Sequence, residues 1–132
     1  MPDNPVSTAD HEHDWDIILS EIKGAVDILA FQDGHCDYDE LPEYLEINRD
    51  LARRYGMQSW TNCETFDRDM PIKFLPIKWE KMRLKLEAAR KAQLDKAITF
   101  EFSHFMSPNS SYFQAHGLNR CYQHYLAGGF EK

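Results

Sequence analysis

The sequence predicts an α/β fold in which about three parallel strands alternate with four helices. Three short runs, VDILAFQDG, MQSWTNCETF and AITFEFSHF, are apolar and rich in β-branched and aromatic residues, as buried strands are. The segments between them are helix-like, with apolar residues recurring at a period near 3.6. Strands that alternate with such helices are joined by right-handed crossovers and therefore form a parallel sheet.

The first two helices are recognised by their apolar stripes and their terminal residues. After a polar segment at residues 1–13, Asp14 is placed to cap a helix that Gly24 ends. The second helix spans about residues 39–55 and stops at Gly56. The stripes consist of Trp15, Ile18, Leu19 and Ile22 in the first helix, and of Leu41, Tyr44, Leu45, Leu51, Ala52 and Tyr55 in the second.

The third and fourth helices complete the alternation. A long loop, DRDMPIKFLP, precedes the third helix, which we expect to start near Pro76 because proline is favoured in a first turn. Its Lys and Arg residues are assigned to a solvated face. The fourth helix ends at Gly128-Gly129. The expected buried positions are Trp79, Met82, Leu86 and Ala89, then Leu118, Cys121, Tyr122 and Tyr125.

Length and composition limit the classes of function. The 132 residues, 42% of them hydrophobic, suffice for one compact domain. Net charge is −7 and the basic residues are scattered, so no nucleic-acid partner is expected. The chain shows no membrane-length apolar run and no secretory signal, which predicts no membrane contact and, as the chain stands, a cytoplasmic location. Three cysteines without zinc-site spacing indicate neither a metal nor a cofactor.

A parallel sheet of only three strands leaves both of its edges unpaired, which is an aggregation hazard. The outer strand candidates carry no proline or lysine guard. We therefore expect the sheet to continue elsewhere, either in a longer (β/α) barrel or in a homodimer. A self-contained small sandwich is the alternative.

Polar residues gather at the carboxyl ends of the three predicted strands, where parallel α/β folds bind their ligands. Two of them are carboxylates inside apolar strands, Glu64 and Glu101, and such a pair suits acid/base hydrolysis of a glycosidic bond. On the third strand, Thr99, Glu101 and Ser103 are expected to face the interior, with Phe100 and Phe102 toward the helices. The expected substrate-binding residues are Gln32, Asp33, Trp60, Asn62 and His104.

Each of these residues also has a plainer explanation. Glu64 could pair with a cation and only stabilise the interior, and Asp33, followed by glycine, could be a turn residue. His104 could be an ordinary hydrogen-bonded histidine. A metal-dependent hydrolase using Asp33, Glu64, Glu101 and His104 is a weaker alternative, because no comparable ligand spacing supports it.

Three motifs together resemble the bacterial domain family of unknown function 4434. They are the QDG turn, the W-x-N-x-E-x-F strand and the F-E-F-x-H-x-M-S-P strand end. The resemblance implies a glycoside-hydrolase-like (β/α)8 TIM barrel, of which residues 14–132 would form the C-terminal half. It also implies that an N-terminal half-barrel is missing, and that Gln32, Asp33, Asn62, Glu64, Glu101 and His104 form the site.

Two functions follow as hypotheses. The first is a carbohydrate-active, glycoside-hydrolase-like barrel domain or fragment with Glu64 and Glu101 as its catalytic acids. The second is a non-catalytic half-barrel that binds a carbohydrate or a partner, or assembles with itself.

Overall fold

The computed structural model describes residues 7–34, 36–69, 73–107, 109, 110 and 127, and shows a mixed α/β architecture. Its central element is a parallel sheet of three strands: β1 (Ile28–Gln32), β2 (Gln58–Glu64) and β5 (Lys96–Phe100). The three predicted strand runs and their parallel pairing are therefore confirmed. The remaining described elements are α1 (Thr8–Ile22), α2 (Leu41–Arg54), β3 (Phe66–Asp69), β4 (Lys73–Pro76), α3 (Trp79–Lys91) and α4 (Phe102–Phe105).

The long helices bury one face of this sheet. Leu29 and Phe31 of β1 form a core cluster with Leu19 of α1 and with Leu51 and Ala52 of α2. Cys63 of β2 packs in the same way against Trp79 and Met82 of α3. Strand alternation then assigns the intervening residues to the opposite face.

The opposite face, which we call the open face, carries a mixture of apolar and polar side chains. Three residue pairs of this face lie in register across the sheet: Gln32 with Asn62, Asn62 with Ile98, and Glu64 with Phe100. Ile28, Ile98 and Phe100 are 39%, 40% and 50% exposed, respectively. The helix-covered face and the open face therefore differ sharply in burial within the described part of the chain.

The strands lie side by side in the order in which they occur along the chain, β1-β2-β5. A doubly wound sheet reverses its strand order and places helices on both faces, whereas a (β/α) barrel winds in one direction and keeps its helices outside. The described part of this sheet follows the second pattern.

Helix α1 begins earlier than predicted. It starts at Thr8, because the Ser7 hydroxyl accepts a hydrogen bond from the Asp10 N–H at 3.1 Å and caps the helix there. Asp14, the predicted cap, lies inside the helix. The Nε2 of His11 lies 2.6 Å from the Asn48 Oδ1 and its ring packs on Phe31 and Tyr44, so the first turns are anchored against the core. Residues 8–13 are thus part of the fold.

The predicted loop before α3 contains a short antiparallel hairpin instead, formed by β3 and β4. Thr65, between β2 and β3, holds this insertion to the sheet. Its N–H donates to the Phe100 carbonyl at 2.7 Å, and its own carbonyl accepts from the Ile77 N–H at 3.0 Å. Helix α3 consequently starts at Trp79 rather than near Pro76.

The third strand is shorter than predicted and is oriented differently. It ends at Phe100, after which α4 begins at Phe102, so Ser103 and His104 are helical. Phe100 pairs with Glu64, which places Phe100 on the open face, and Thr99 pairs with Cys63 on the helix-covered face. The expected arrangement, with phenylalanines toward the helices, is therefore wrong.

Two further expectations concern other parts of the chain. The fourth predicted helix, about residues 118–125, lies outside the described residues. Of the helices that are described, none has the length and apolarity needed to traverse a membrane.

Candidate functional site

The carboxyl edge of the sheet brings the two predicted catalytic acids onto neighbouring elements. Glu64 is the last residue of β2, and Glu101 follows the last residue of β5 through a cis peptide bond. Because β2 and β5 are adjacent and parallel, both residues lie at the same end of the sheet. This is the end at which parallel α/β proteins bind ligands.

Glu64 is almost fully buried, with 7% of its surface exposed. Its carboxylate lies directly against Gly34, where the Cβ of any other residue would overlap both carboxylate oxygens. A residue larger than glycine at position 34 would therefore displace the Glu64 side chain. The φ angle of Gly34 lies outside the left-handed region, so the close approach of Glu64, and not the backbone conformation, favours glycine here.

Asp33 is on the helix-covered side rather than the open face, since it continues the alternation of Leu29 and Phe31. Its carboxylate is buried and forms an ion pair with Lys85 of α3, whose Nζ lies 3.2 Å from Oδ2 and 3.3 Å from Oδ1. Asp33 also accepts a hydrogen bond from the Glu64 N–H at 3.0 Å. The predicted substrate-binding residue is thus held by the protein through its Oδ1, while its buried Oδ2 lies near Lys85 and has no hydrogen-bond partner among the described residues.

Glu101 and His104 form a pair across the single turn of α4. The Nδ1 of His104 contacts the Glu101 carboxylate, and the Ser103 hydroxyl donates to the other oxygen of that carboxylate at 3.1 Å. The side chains are 34% exposed for Glu101 and 65% exposed for His104. Unlike the buried carboxylate of Glu64, this carboxylate is partly accessible to solvent.

Gln32 and Asn62 lie side by side on the open face, and Asn62 is two residues before Glu64 on β2. The Gln32 side chain is exposed, while the Asn62 Oδ1 is buried and has no hydrogen-bond partner in the described part of the chain. A buried amide oxygen without a donor is costly, which makes it a suitable acceptor for a ligand hydroxyl. The predicted grouping of these two amides with Glu64 is observed.

Trp60 shares the open face but lies four residues before Glu64, or roughly 13 Å along the strand. Its ring is covered by Lys96, whose Nζ is 4.6 Å from the ring centroid, and its Nε1 donates to the Gln58 Oε1 at 3.0 Å. The structure therefore does not bring Trp60 together with the carboxyl-edge residues.

The thiols and one phenol near the edge have raised pKa values. Burial, with a further contribution from the Asp33 charge, raises the pKa of Cys63 to about 12 and that of Cys36 to about 11. Burial and then the Asp67 and Asp33 charges also raise the pKa of Tyr38. These groups are protonated at neutral pH, so neither thiol is an activated nucleophile.

A shallow groove of about 140 Å³ lies between α2 and α3, with Leu41, Leu84 and Ala88 in its walls. It is on the helical surface, and its lining includes none of the predicted site residues. Across the described residues, no three His, Cys, Asp or Glu side chains are grouped so that they could hold a metal ion.

Sequence reasoning did not identify two residues of the candidate site, Lys85 and Gly34. Lys85 is 7% exposed, although the basic residues of α3 were assigned to solvent. The signal was its position three residues after Met82, on the same apolar stripe. Gly34 was noted only as a turn residue, and its close approach to Glu64 has no sequence signal.

Comparison with known proteins adds a family and a solved relative. A family model described as "Domain of unknown function (DUF4434)" matches residues 1–112. The crystal structure of "a putative alpha-L-fucosidase from Bacteroides thetaiotaomicron" is similar, with 58% sequence identity and a TM-score of 0.85. The similarity covers 95% of this chain but 39% of that one, so the chain spans well under half of this relative. No match was found among curated proteins.

Proposed function

Since this chain belongs to the family described as Domain of unknown function (DUF4434), we propose that it is a glycoside-hydrolase-like, carbohydrate-active domain. In this proposal the carboxyl groups of Glu64 and Glu101 cleave a glycosidic bond by acid/base chemistry. The observation that carries it is the placement of both residues at the carboxyl edge of one parallel sheet, where Glu64 ends β2 and Glu101 directly follows the adjacent β5.

The barrel is part of the same proposal. Sequential strand order, helices on one face and apolar residues exposed on the other are the features of a (β/α)8 barrel segment. The longer relative with a TM-score of 0.85 supports a barrel completed by further strands. Ile98 and Phe100 would then be interior residues of the complete barrel.

The different environments of the two acids favour different roles. Glu101 is partly exposed and contacts His104, so both substrate and solvent can reach it, which suits the general acid/base. Glu64 is buried on the open face beside Asn62, so it suits the group that faces the sugar carbon under attack. Gln32 and Asn62 would hold sugar hydroxyls through their amides.

The substrate class rests on the relative. That protein is described as a putative alpha-L-fucosidase, and 58% identity over 95% of this chain supports a similar sugar at the shared edge. An α-L-fucoside is accordingly the first substrate to test.

Turnover of an aryl α-L-fucoside, alongside a panel of other aryl glycosides, tests the proposal. We expect Glu64→Gln and Glu101→Gln each to lower kcat by about 10²–10⁴-fold, because each removes a proton-transfer or nucleophilic group. Glu87→Gln is the matched control, because Glu87 pairs with Arg83 on the outer helix α3 and should leave kcat unchanged. Equal activity in the wild-type chain and both site variants would overturn the assignment.

A second candidate is favoured by one specific observation, the exposed apolar residues of the open face. On this alternative the chain is a non-catalytic half-barrel that binds a carbohydrate or a partner, or assembles with itself through that face. Light scattering on the purified chain separates the cases: a dimer without turnover supports self-assembly, whereas a monomer that hydrolyses the fucoside excludes it.

A further inference from the structure

We propose that Asp33 and Lys85 are positioning residues that fix Glu64 by holding both of its backbone polar groups. The proposal deepens the proposed function and rests on its assignment of Glu64 to the reaction. Neither side chain is placed to touch the substrate, because their ion pair lies on the helix-covered face. The Lys85 side chain is 8% exposed and the Asp33 side chain is 1% exposed.

The backbone polar groups of Glu64 are directed toward the end of β1. In a parallel sheet, alternate residues direct their backbone groups to the same neighbouring strand. The Asn62 carbonyl accepts from the Asp33 N–H at 3.4 Å, so Glu64, two residues later, also faces β1. The β1–β2 ladder, however, ends with Gln32 and Asn62.

The Asp33–Lys85 ion pair binds both of these backbone groups. The Asp33 Oδ1 accepts from the Glu64 N–H at 3.0 Å, and the Lys85 Nζ donates to the Glu64 carbonyl at 3.0 Å. Both backbone groups of one residue are thus held by charged side chains from two different elements, a strand end and α3. Hydrogen bonds to charged groups are stronger than neutral ones, so this clamp is stiffer than an ordinary ladder.

The side chain of Glu64 is restrained as well. Its carboxylate rests against Gly34, the residue next to Asp33, at a distance that leaves no room for a Cβ. The backbone clamp and the glycine contact together restrict the carboxylate to a narrow range of positions. Such restraint of a reacting group is what a catalytic geometry requires.

Amide hydrogen exchange tests the clamp without any assay of activity. Asp33→Ala/Lys85→Met removes both charges together, which avoids an unpaired buried charge, and also removes the acceptor for the Glu64 N–H. Asp33→Asn/Lys85→Met differs only in keeping an amide oxygen at that place. We expect exchange of the Glu64 amide to accelerate at least about 10-fold in the alanine variant but not in the asparagine variant.

Two controls make this result specific. Lys81→Met breaks the Lys81–Asp67 ion pair one turn earlier on α3 and should leave Glu64 exchange unchanged. The amides of residues 60–62 report on β2 as a whole. Equal Glu64 exchange in the alanine and asparagine variants, or acceleration spread uniformly along β2, would overturn the clamp.

Kinetics then test whether the clamp serves catalysis. With an aryl fucoside, we expect Asp33→Ala/Lys85→Met to lower kcat about 10-fold or more while KM stays within about twofold. In a Glu64→Gln background the same pair should add less than about twofold, because it acts through Glu64. An equal loss in both backgrounds would contradict positioning. If the wild-type chain shows no turnover, the proposed function fails, and the exchange experiment alone decides whether Glu64 is clamped.

Discussion

The contact between Gly34 and Glu64 shows how a residue without a side chain can determine the position of a neighbouring carboxylate. The Glu64 carboxylate occupies the space that a Cβ at position 34 would need. Sequence alone marks Gly34 as a turn residue after Asp33, and only the fold reveals which side chain approaches it. The position of the Glu64 carboxylate therefore depends on a residue that contributes no functional group.

Gly34→Ala is expected to destabilise the chain by about 1–3 kcal/mol, because the methyl group forces the buried Glu64 side chain to move. Urea unfolding measures this change. In a Glu64→Ala background the space is vacated, so the same substitution should cost much less. Additive losses in the double variant would show that Gly34 matters for another reason.

Cys63 and Cys36 are expected to resist alkylation, because burial raises their pKa values to about 12 and about 11 from an ordinary value of 9.0. At pH 8 the folded chain then holds about a thousandfold less Cys63 thiolate, and about a hundredfold less Cys36 thiolate, than an ordinary thiol. Iodoacetamide labelling followed by peptide mass mapping, with the urea-unfolded chain as control, measures both. Fast native labelling of Cys63 would contradict the prediction.

The raised pKa values of Cys63 and Cys36 also make the stability of the folded state depend on pH. The unfolded thiols ionise near pH 9.0, below their folded counterparts, so the folded state binds more protons above that pH. Their contribution to stability is therefore complete below about pH 9 and is lost as pH rises toward 12.

At the scale of elements, the strands could be predicted more accurately than their surroundings. Apolar runs identified β1 and β2 because burial and alternation dominate there. The β3–β4 hairpin was missed because its sequence, DRDMPIKFLP, contains four charged residues and two prolines. The early end of β5 was missed because FEFSHF has the alternation of a strand, yet the Phe102 carbonyl accepts the Met106 N–H in a helical turn.

The start of α1 gives a prediction at this scale. Ser7→Ala should lower the free energy of unfolding by about 1 kcal/mol, because the Ser7 hydroxyl caps the Asp10 N–H. Asp14→Ala is the control, since Asp14 is exposed inside the helix, and its effect should stay within about 0.5 kcal/mol. Thermal or urea unfolding compares the two. A larger loss of stability for Asp14→Ala would contradict Ser7 as the N-cap and support Asp14 in that position.

For the molecule as a whole, the alternation of strands and helices along the chain is enough to predict a parallel sheet. Of the candidate site residues, Gln32, Asn62 and Glu64 share one face of the sheet, as strand alternation predicts. The roles of Asp33 and Trp60 were not predictable, because they depend on partners from distant segments. Asp33 is engaged by Lys85, and Trp60 by Lys96, and pairings between such segments follow from packing alone.

The open face gives a prediction for the whole molecule. If it is an association surface, Ile98→Lys/Phe100→Lys should shift the chain toward its monomer mass of 15.5 kDa in light scattering. Leu84→Lys is the matched control, since Leu84 is 54% exposed but lies on α3. A wild-type chain that is already monomeric, or an equal shift in the control, would contradict association through this face.

The central position of β2 also bears on how the chain folds. Ile28 pairs with Gln58 and Trp60 with Lys96, so each strand pairing must close a loop of roughly 30 to 36 residues before it gains stability. Neither pairing is local, and β2 takes part in both. The strand that carries Glu64 is therefore the one on which assembly of the sheet depends, and destabilising substitutions along it should slow refolding in stopped-flow experiments more than equally destabilising ones in the outer strands.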